Sequence, residues 1–414
     1  MFKYISPLFF FAPFLILCNV KLTKSYIAAE NTPVYIATSN ASSPSGVEYN
    51  KLFNPFRSIL EEFSHIDNQP LYSMNVAKYT ERTVPLSSRQ PRSAFYSGGN
   101  QAMYTPPMAQ DIIHPKVLVT IDYPLLKKIG PQTEKVLKYV LSFFLGVNMR
   151  YRMLTNPKIR FNIAGIILSW DQHAVPYIAN NLIRNDLINT FDALNKMADY
   201  FRNEKRLNKD SYDLVVILTN SSLGSQWNDQ VNEGFMNGLS YITTGCAGKR
   251  HTIVRDNGGF DGIFYATHEL AHLLEADHDG QESENTENCS TNNVMAPSRP
   301  LGVTEFQWSS CSINALRKFL NNDTAQCVHS PLPNLGRVVN IPLPGQLLNA
   351  NDQCEAGFGY GVKACQEIQH QNCSRLKCCR KPDLKEMDSF SAAEGTPCND
   401  DKHFCLDGYC VSKP

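Results

Sequence analysis

The chain has 414 residues, 43% of them hydrophobic, and 39 basic side chains balance 39 acidic ones. That length admits two or three domains. A formal net charge of zero argues against nucleic acid or an anionic membrane surface as the principal partner.

At the N-terminus, Met1-Phe2-Lys3 and the apolar stretch through Cys18 read as a secretory signal peptide, set at residues 1–25, with cleavage expected between Cys18 and Ala29. No later stretch is long and apolar enough to span a bilayer, so the expected product is secreted and extracellular. Of the 13 cysteines, Cys18 lies in this leader; the other 12 suit six bridges in an oxidising compartment. Residues 26–112 lack cysteine, are rich in Ser, Pro and Asn, and show little periodicity; a propeptide and linker are expected there. Within them, Arg89-Gln-Pro-Arg92 fits the minimal Arg-x-x-Arg site of furin-like convertases, the alternative being a basic loop in a Ser/Pro-rich linker. With no cysteine in the segment, any latency it confers must come from another kind of group or from simple blockage.

From residue 116 the pattern becomes regular. Val117, Val119 and Ile121 alternate as in a strand, and Pro131 opens a helix whose stripe runs Val136, Val140, Phe143, Phe144, Val147, Leu154. Ile159, Phe161 and Ile163 alternate until the phase slips at Gly165, which predicts a bulge in a second strand. A second amphipathic helix is expected over Ile183, Leu187, Phe191, Leu194, Ala198 and Phe201. Strands follow at 214–218, 239–244 and 252–255, then a helix at 262–275 and a last one near Ile313–Leu320. Strands alternating with helices predict an α/β domain with a mixed sheet over residues 113–333. Pro331 to Gln346 reads as a linker, and residues 334–414 as a small disulfide-stapled module holding eight cysteines.

The chemistry is concentrated in His268-Glu-Leu-Ala-His-Leu-Leu-Glu-Ala-Asp-His278. His268 and His272 are one turn apart on one helical face, and Glu269 lies beside them. His278 is too far along for that face, so the chain must leave the helix and return to offer a third nitrogen. Three imidazoles with one open position is the pattern of catalytic zinc (Zn2+), with Glu269 as general base toward water. Met295, in Asn-Val-Met-Ala-Pro, stands where a methionine turn would underlie such a site.

On these residues the chain resembles the metzincin metallopeptidases of the adamalysin, or reprolysin, branch: Asp279 follows the third histidine, Gly238 to Cys246 precedes the helix, and Cys311-Ser and Cys327 follow. Ala392 to Cys398, Cys405 and Cys410-Val411 are similar to the ADAMTS cysteine-rich region, a combination found in secreted reprolysins of tick saliva. The resemblance implies a zinc metalloendopeptidase, a zymogen and glycoprotein, with Cys246–Cys327 and Cys289–Cys311 bridges. It further implies extracellular protein substrates such as host fibrinogen, fibrin or matrix proteins. Two other readings stay open: a surface- or matrix-binding protein with a weak metal site, and an endogenous developmental protease. Some members hold structural calcium (Ca2+); Asp213 matches one ligand position, but Ser330 stands where an amide is usual, which speaks against it. Glu275 replaces the family's helix-ending glycine, so a left-handed Glu is expected; its carboxylate is read as a solvated side chain, the alternative being an outer partner of a ligand histidine. Sequons stand at Asn40, Asn220, Asn288, Asn322 and Asn372.

Overall fold

A computed structural model describes residues 27–63 and 112–413, apart from 229, 243–245, 247–248, 281–287, 333–336, 366–371, 381–384 and 388–389. The expected signal peptide and the Arg89–Arg92 site lie outside the described residues. The chain begins with strands β1 (Val34–Ser39) and β2 (Val47–Lys51) and helix α1 (Arg57–Glu62). It continues through β3 (Lys116–Ile121), α2 (Tyr123–Ile129), α3 (Thr133–Tyr151), β4 (Asn162–Ser169) and the short α4 (Pro176–Ala179). Then come β5 (Leu182–Arg184), β6 (Leu187–Asn189), α5 (Thr190–Asn203), β7 (Leu214–Thr219), β8 (Ser222–Trp227) and β9 (Gln230–Met236). The peptidase-like part closes with β10 (Gly238–Ser240), β11 (His251–Arg255), α6 (Gly262–Leu273) and α7 (Ser310–Leu320).

Seven strands form the main sheet in the order β10-β11-β7-β3-β4-β1-β2. The five from β11 to β1 run parallel, while β10 and β2 run antiparallel at the two edges. A parallel sheet must be covered on both faces, and alternate residues of β7 show how. Leu214, Val216 and Leu218 enter the core that packs α3 and α6; Val215 and Ile217 enter the one that packs α5. The expected bulge is present: Val117 pairs with Ile163, Leu118 with Gly165, and Ala164 is left over.

Three expectations are corrected. Residues 26–112, expected as a propeptide and linker with little periodicity, contribute regular structure to the main sheet: β1 pairs with β4 in parallel, and Val34, Ala37, Val47, Phe56 and Ile59 are fully buried. The amphipathic helix expected from Ile183 to Phe201 begins only at Thr190: Ile183 and Leu187 lie in a hairpin that turns at Asn185-Asp186, a turn-favouring pair. Phe191, expected on the buried stripe, is 50% exposed. The stretch read as a linker is docked: Val339, Ile341 and Leu343 are buried in the main core, and the Val339 amide donates to Ala28 O at 3.0 Å.

The C-terminal module starts with α8 (Pro344–Leu347) and α9 (Ala350–Phe358) and adds two small three-stranded sheets. It is held by Cys354–Cys378, Cys365–Cys379, Cys373–Cys405 and Cys398–Cys410. It is fastened to the rest by buried charge. Arg150 and Arg299 both pair with Glu305, Arg299 also reaches the Ser391 hydroxyl at 2.8 Å, and Arg152 meets Asp407 at 2.6 Å. Among the described residues no helix is long and apolar enough to cross a membrane.

Candidate metal centre

The helix that carries the site, α6, lies across α3 and against β10 and β11. Close approach to α3 depends on Gly146, where a Cβ would meet Ile263 Cδ1 at 2.5 Å. The Tyr151 hydroxyl on α3 also donates to Thr267 O at 2.9 Å, beside the first histidine. Leu270, Leu273 and Leu274 are buried in the core, so the opposite stripe with His268 and His272 faces the third histidine.

The end of α6 is a Schellman motif. Glu275 N donates to His272 O at 2.9 Å and Ala276 N to Ala271 O at 3.0 Å, with Glu275 left-handed at φ 66°. This turn does two things. It sends the chain back to His278, and it sets the Ala276 carbonyl 2.7 Å from His272 Nδ1. His268 Nδ1 is likewise 2.8 Å from Val294 O, in the segment before Met295. The outer partners of these two ligands are therefore backbone carbonyls, not the Glu275 carboxylate.

His268, His272 and His278 bring their Nε2 atoms together at 3.0, 3.0 and 3.1 Å. The carbonyls at Nδ1 require the Nδ1 hydrogens of His268 and His272, leaving an Nε2 lone pair on each. Two lone pairs at 3.0 Å repel unless a cation lies between them and the third nitrogen. Tetrahedral zinc with bonds of about 2.0–2.1 Å would set its ligands about 3.3–3.4 Å apart, so the trio is slightly compact but of the right size. Burial keeps the imidazoles neutral: His268 is pushed down to about 4, His272 well below its ordinary value, and His278 in the same direction. Neutral rings are what a metal needs.

Glu269 is buried against the edge strand β10, where a Cβ on Gly238 would come within 2.6 Å of its Cγ. Burial raises its carboxyl to about 7, opposed by a hydrogen bond from the Ser240 hydroxyl. Ser240 was not singled out by sequence reasoning; only the strand pairing reveals it. Asp279 was noted as a family mark. Its amide donates to Met295 O at 2.8 Å, and its carboxylate accepts from Ser309 at 2.6 Å and Ser312 at 2.9 Å. Asp279 thus ties the His278 loop to both the methionine segment and the start of α7. Met295 is fully buried in the main core.

Of the remaining candidates, Cys246 bonds Cys327 and Cys289 bonds Cys311. Asp213 does not face an open cation position. Its carboxylate accepts from the Lys116 amide at 2.8 Å and lies 3.5 Å from Lys116 Nζ, while the Ser330 hydroxyl donates to Cys327 O. Asn220 is half-buried, with its amide nitrogen donating to Asp256 O at 3.0 Å. The sequons at Asn288 and Asn322 stand exposed.

Residues 137–279 match the family model described as metallo-peptidase family M12B reprolysin-like, and residues 344–411 match that of ADAMTS cysteine-rich domain 2. A Bombyx mori protein named "A disintegrin and metalloproteinase with thrombospondin motifs like" is 34% identical over 319 residues, 73% of this chain and 45% of that protein. Venom metalloproteinase 3 of Eulophus pennicornis is 28% identical over 53% of each chain. The Mus musculus protein "A disintegrin and metalloproteinase with thrombospondin motifs 15" is 26% identical over 72% of this chain and 30% of its own length. The chain thus spans about half or less of these relatives. Its organisation is a reprolysin-like M12B metallopeptidase domain followed by an ADAMTS-type cysteine-rich domain. The histidine triad is consistent with a catalytic zinc.

Proposed function

We propose that this chain is a secreted, zinc-dependent endopeptidase that hydrolyses peptide bonds of extracellular proteins. The observation that carries the reading is the convergence of three neutral Nε2 atoms beside the buried Glu269 carboxyl, which α6 packs against the edge strand β10. When bound, zinc at such a site supplies Lewis acidity, lowering the pKa of a coordinated water toward about 7 and polarising the scissile carbonyl. Glu269 takes the proton of the attacking water and returns it to the leaving amine nitrogen. The Ser240 hydroxyl holds the Glu269 carboxylate in place, and β10, terminal in the sheet, offers main-chain groups to an extended substrate. Asp279 and the Schellman turn keep His278 in register with the helical pair.

The six disulfides fit an oxidising, extracellular setting. Residues 1–25 as signal peptide and cleavage at Arg92 belong to the same proposal. Fibrinogen, fibrin or matrix proteins of a host, met by a salivary anti-haemostatic factor, are the substrates suggested by the resemblance to tick reprolysins. The test is cleavage of casein and fibrinogen by purified protein, with and without a zinc chelator, beside Glu269→Gln. Chelation should abolish cleavage, and Glu269→Gln should cost about 10²–10⁴-fold in rate while stoichiometric zinc is retained. Full activity in that variant would remove Glu269 as the base.

A further inference from the structure

A cavity of about 140 Å³ lies on the α5 side of the sheet, lined by Phe201, Arg202, Lys209, Tyr212, Asp213, Arg250 and His251, with smaller side chains between them. It is far roomier than the about 10–15 Å³ that a single water needs. Its position separates it from the metal centre. Phe201, Tyr212 and Val215 belong to the core that packs α5, whereas α6 and its histidines sit against the other face. His251 also opens β11, three residues before Val254, which pairs with Gly238 at the Glu269 site, a separation of about 10 Å along the strand.

The charges in this cavity do not cancel. Arg202 is paired with Asp199 at 3.1 Å, and Asp213 with Lys116. Lys209 donates to the Arg202 carbonyl but meets no carboxylate within ion-pair distance among the described residues, and neither does half-buried Arg250. Neither therefore has an ion-pair partner of its own, although the Arg250 charge also acts on Asp213. His251 lines the same cavity, 6% exposed, stacked on Phe201 at 5.6 Å, with a buried Nδ1 that has no hydrogen-bond partner. A polar atom buried without a partner is unfavourable, and His251 lines the same space as the Arg250 guanidinium. Lys209 and Arg202 are exposed at the rim.

From this geometry we infer a second binding site, for a tetrahedral oxyanion of the sulfate or phosphate ester class, held by Arg250 and Lys209 with a hydrogen bond from His251. Burial and the neighbouring guanidinium groups keep the His251 ring neutral, so one ring nitrogen donates and the ring adds no charge. The Asp213 carboxylate is already met by two cations, Lys116 at 3.5 Å and the Arg250 charge that acts on it, so the cavity keeps a net positive lining. The site takes no part in peptide hydrolysis, and its occupant would reach neither Glu269 nor the three imidazoles.

The test uses the full secreted chain, titrated with inorganic sulfate, inorganic phosphate and a sulfated disaccharide, at ionic strength held constant with chloride. Calorimetry and the thermal midpoint are the readouts. Saturable binding of one equivalent is expected, weakened at least tenfold in Arg250→Ala and in Lys209→Ala but not in Arg184→Ala, whose exposed guanidinium lies elsewhere. Casein cleavage should be the same in all three variants. Tighter binding of the disaccharide than of free sulfate assigns the site to a sulfated sugar; equal or weaker binding assigns it to the free anion. No binding beyond the chloride control, or undiminished binding by Arg250→Ala, overturns the inference. Arg250→Lys, which keeps the charge, should retain part of the affinity and guards against a folding defect.

Discussion

Replacing Glu275 by glycine should strengthen the turn that orients two of the three histidines. Glu275 is left-handed at φ 66° inside the Schellman motif that ends α6. A side chain in that conformation costs about 1–2 kcal/mol, and Glu275→Gly removes the cost. Glycine adds unfolded-state entropy worth about 0.5–1 kcal/mol against it. The net gain is about 0–1.5 kcal/mol, and its central value of about 0.75 kcal/mol is a factor of about 3–4 in the local opening equilibrium. Native-state hydrogen exchange of the Ala276 amide, which donates to Ala271 O at 3.0 Å, reads that opening directly. Its protection should rise about 3–4-fold in Glu275→Gly and stay near wild type in Glu275→Ala, which keeps the Cβ and loses only the carboxylate. Zinc affinity should not fall in either variant, because the Nδ1 partners are the Ala276 and Val294 carbonyls. Equal protection in the Gly and Ala variants would refute the strain argument, and a large loss of zinc in both would restore the carboxylate as an outer partner.

Three further outcomes are expected. His251, held down to about 3 mainly by burial against an ordinary value of 6.5, is a depressed base; its contribution is intact above about pH 6.5 and is lost as pH falls toward 3. The full effect is of order 4–5 kcal/mol, so His251→Gln should flatten the acid limb of a stability–pH curve, and an unchanged limb would count against it. Phe56→Ala empties a fully buried site in the main core and should cost about 3–5 kcal/mol, read as an earlier unfolding midpoint; no loss would mean that residues 27–62 are dispensable. Enzymatic deglycosylation of the secreted chain should remove glycan at Asn322 but not at Asn220, whose amide is engaged with Asp256 O; mass spectrometry of the two tryptic peptides decides it.

The metal centre was legible because its first two ligands are local: a spacing of four on one helix fixes His268 and His272 before any tertiary contact. The third ligand was legible only as a return of the chain, and Glu275 marked where that return begins. Strands β1 and β2 were not legible. Val34 pairs with Ile166 across the whole intervening chain, and their half-exposed pattern carries no strong period-2 signal. The misplaced helix start has a similar origin. Ile183 and Leu187 stand four apart and imitate a helical stripe, so the Asn185-Asp186 turn was overridden by an accidental period. In the stretch read as a linker, Val339, Ile341 and Leu343 do alternate, but the neighbouring prolines masked a docked extended segment. The tail bridges were beyond reach because eight cysteines allow 105 pairings.

These corrections converge on one region. Ala28 and Ala29 meet Val338 and Val339 through backbone contacts, and Glu30 pairs with Arg337 at 3.0 Å. The segment expected to be discarded and the segment expected to be slack therefore close on each other, over the core beneath α3. Ile27 and Ala28 are buried in the core that also holds Ile341, Leu343 and Met295. A cut near Arg92 would break the chain but not these contacts. No disulfide in the structure links residues 27–63 to the rest, so only non-covalent packing would retain the fragment. Fully buried Val34, Phe56 and Ile59 supply that packing, together with four registered pairs between β1 and β4. A processed enzyme of this kind would be a two-piece sheet with an intact site: the strands at risk lie at the far edge from β10, and Glu269 sits against β10.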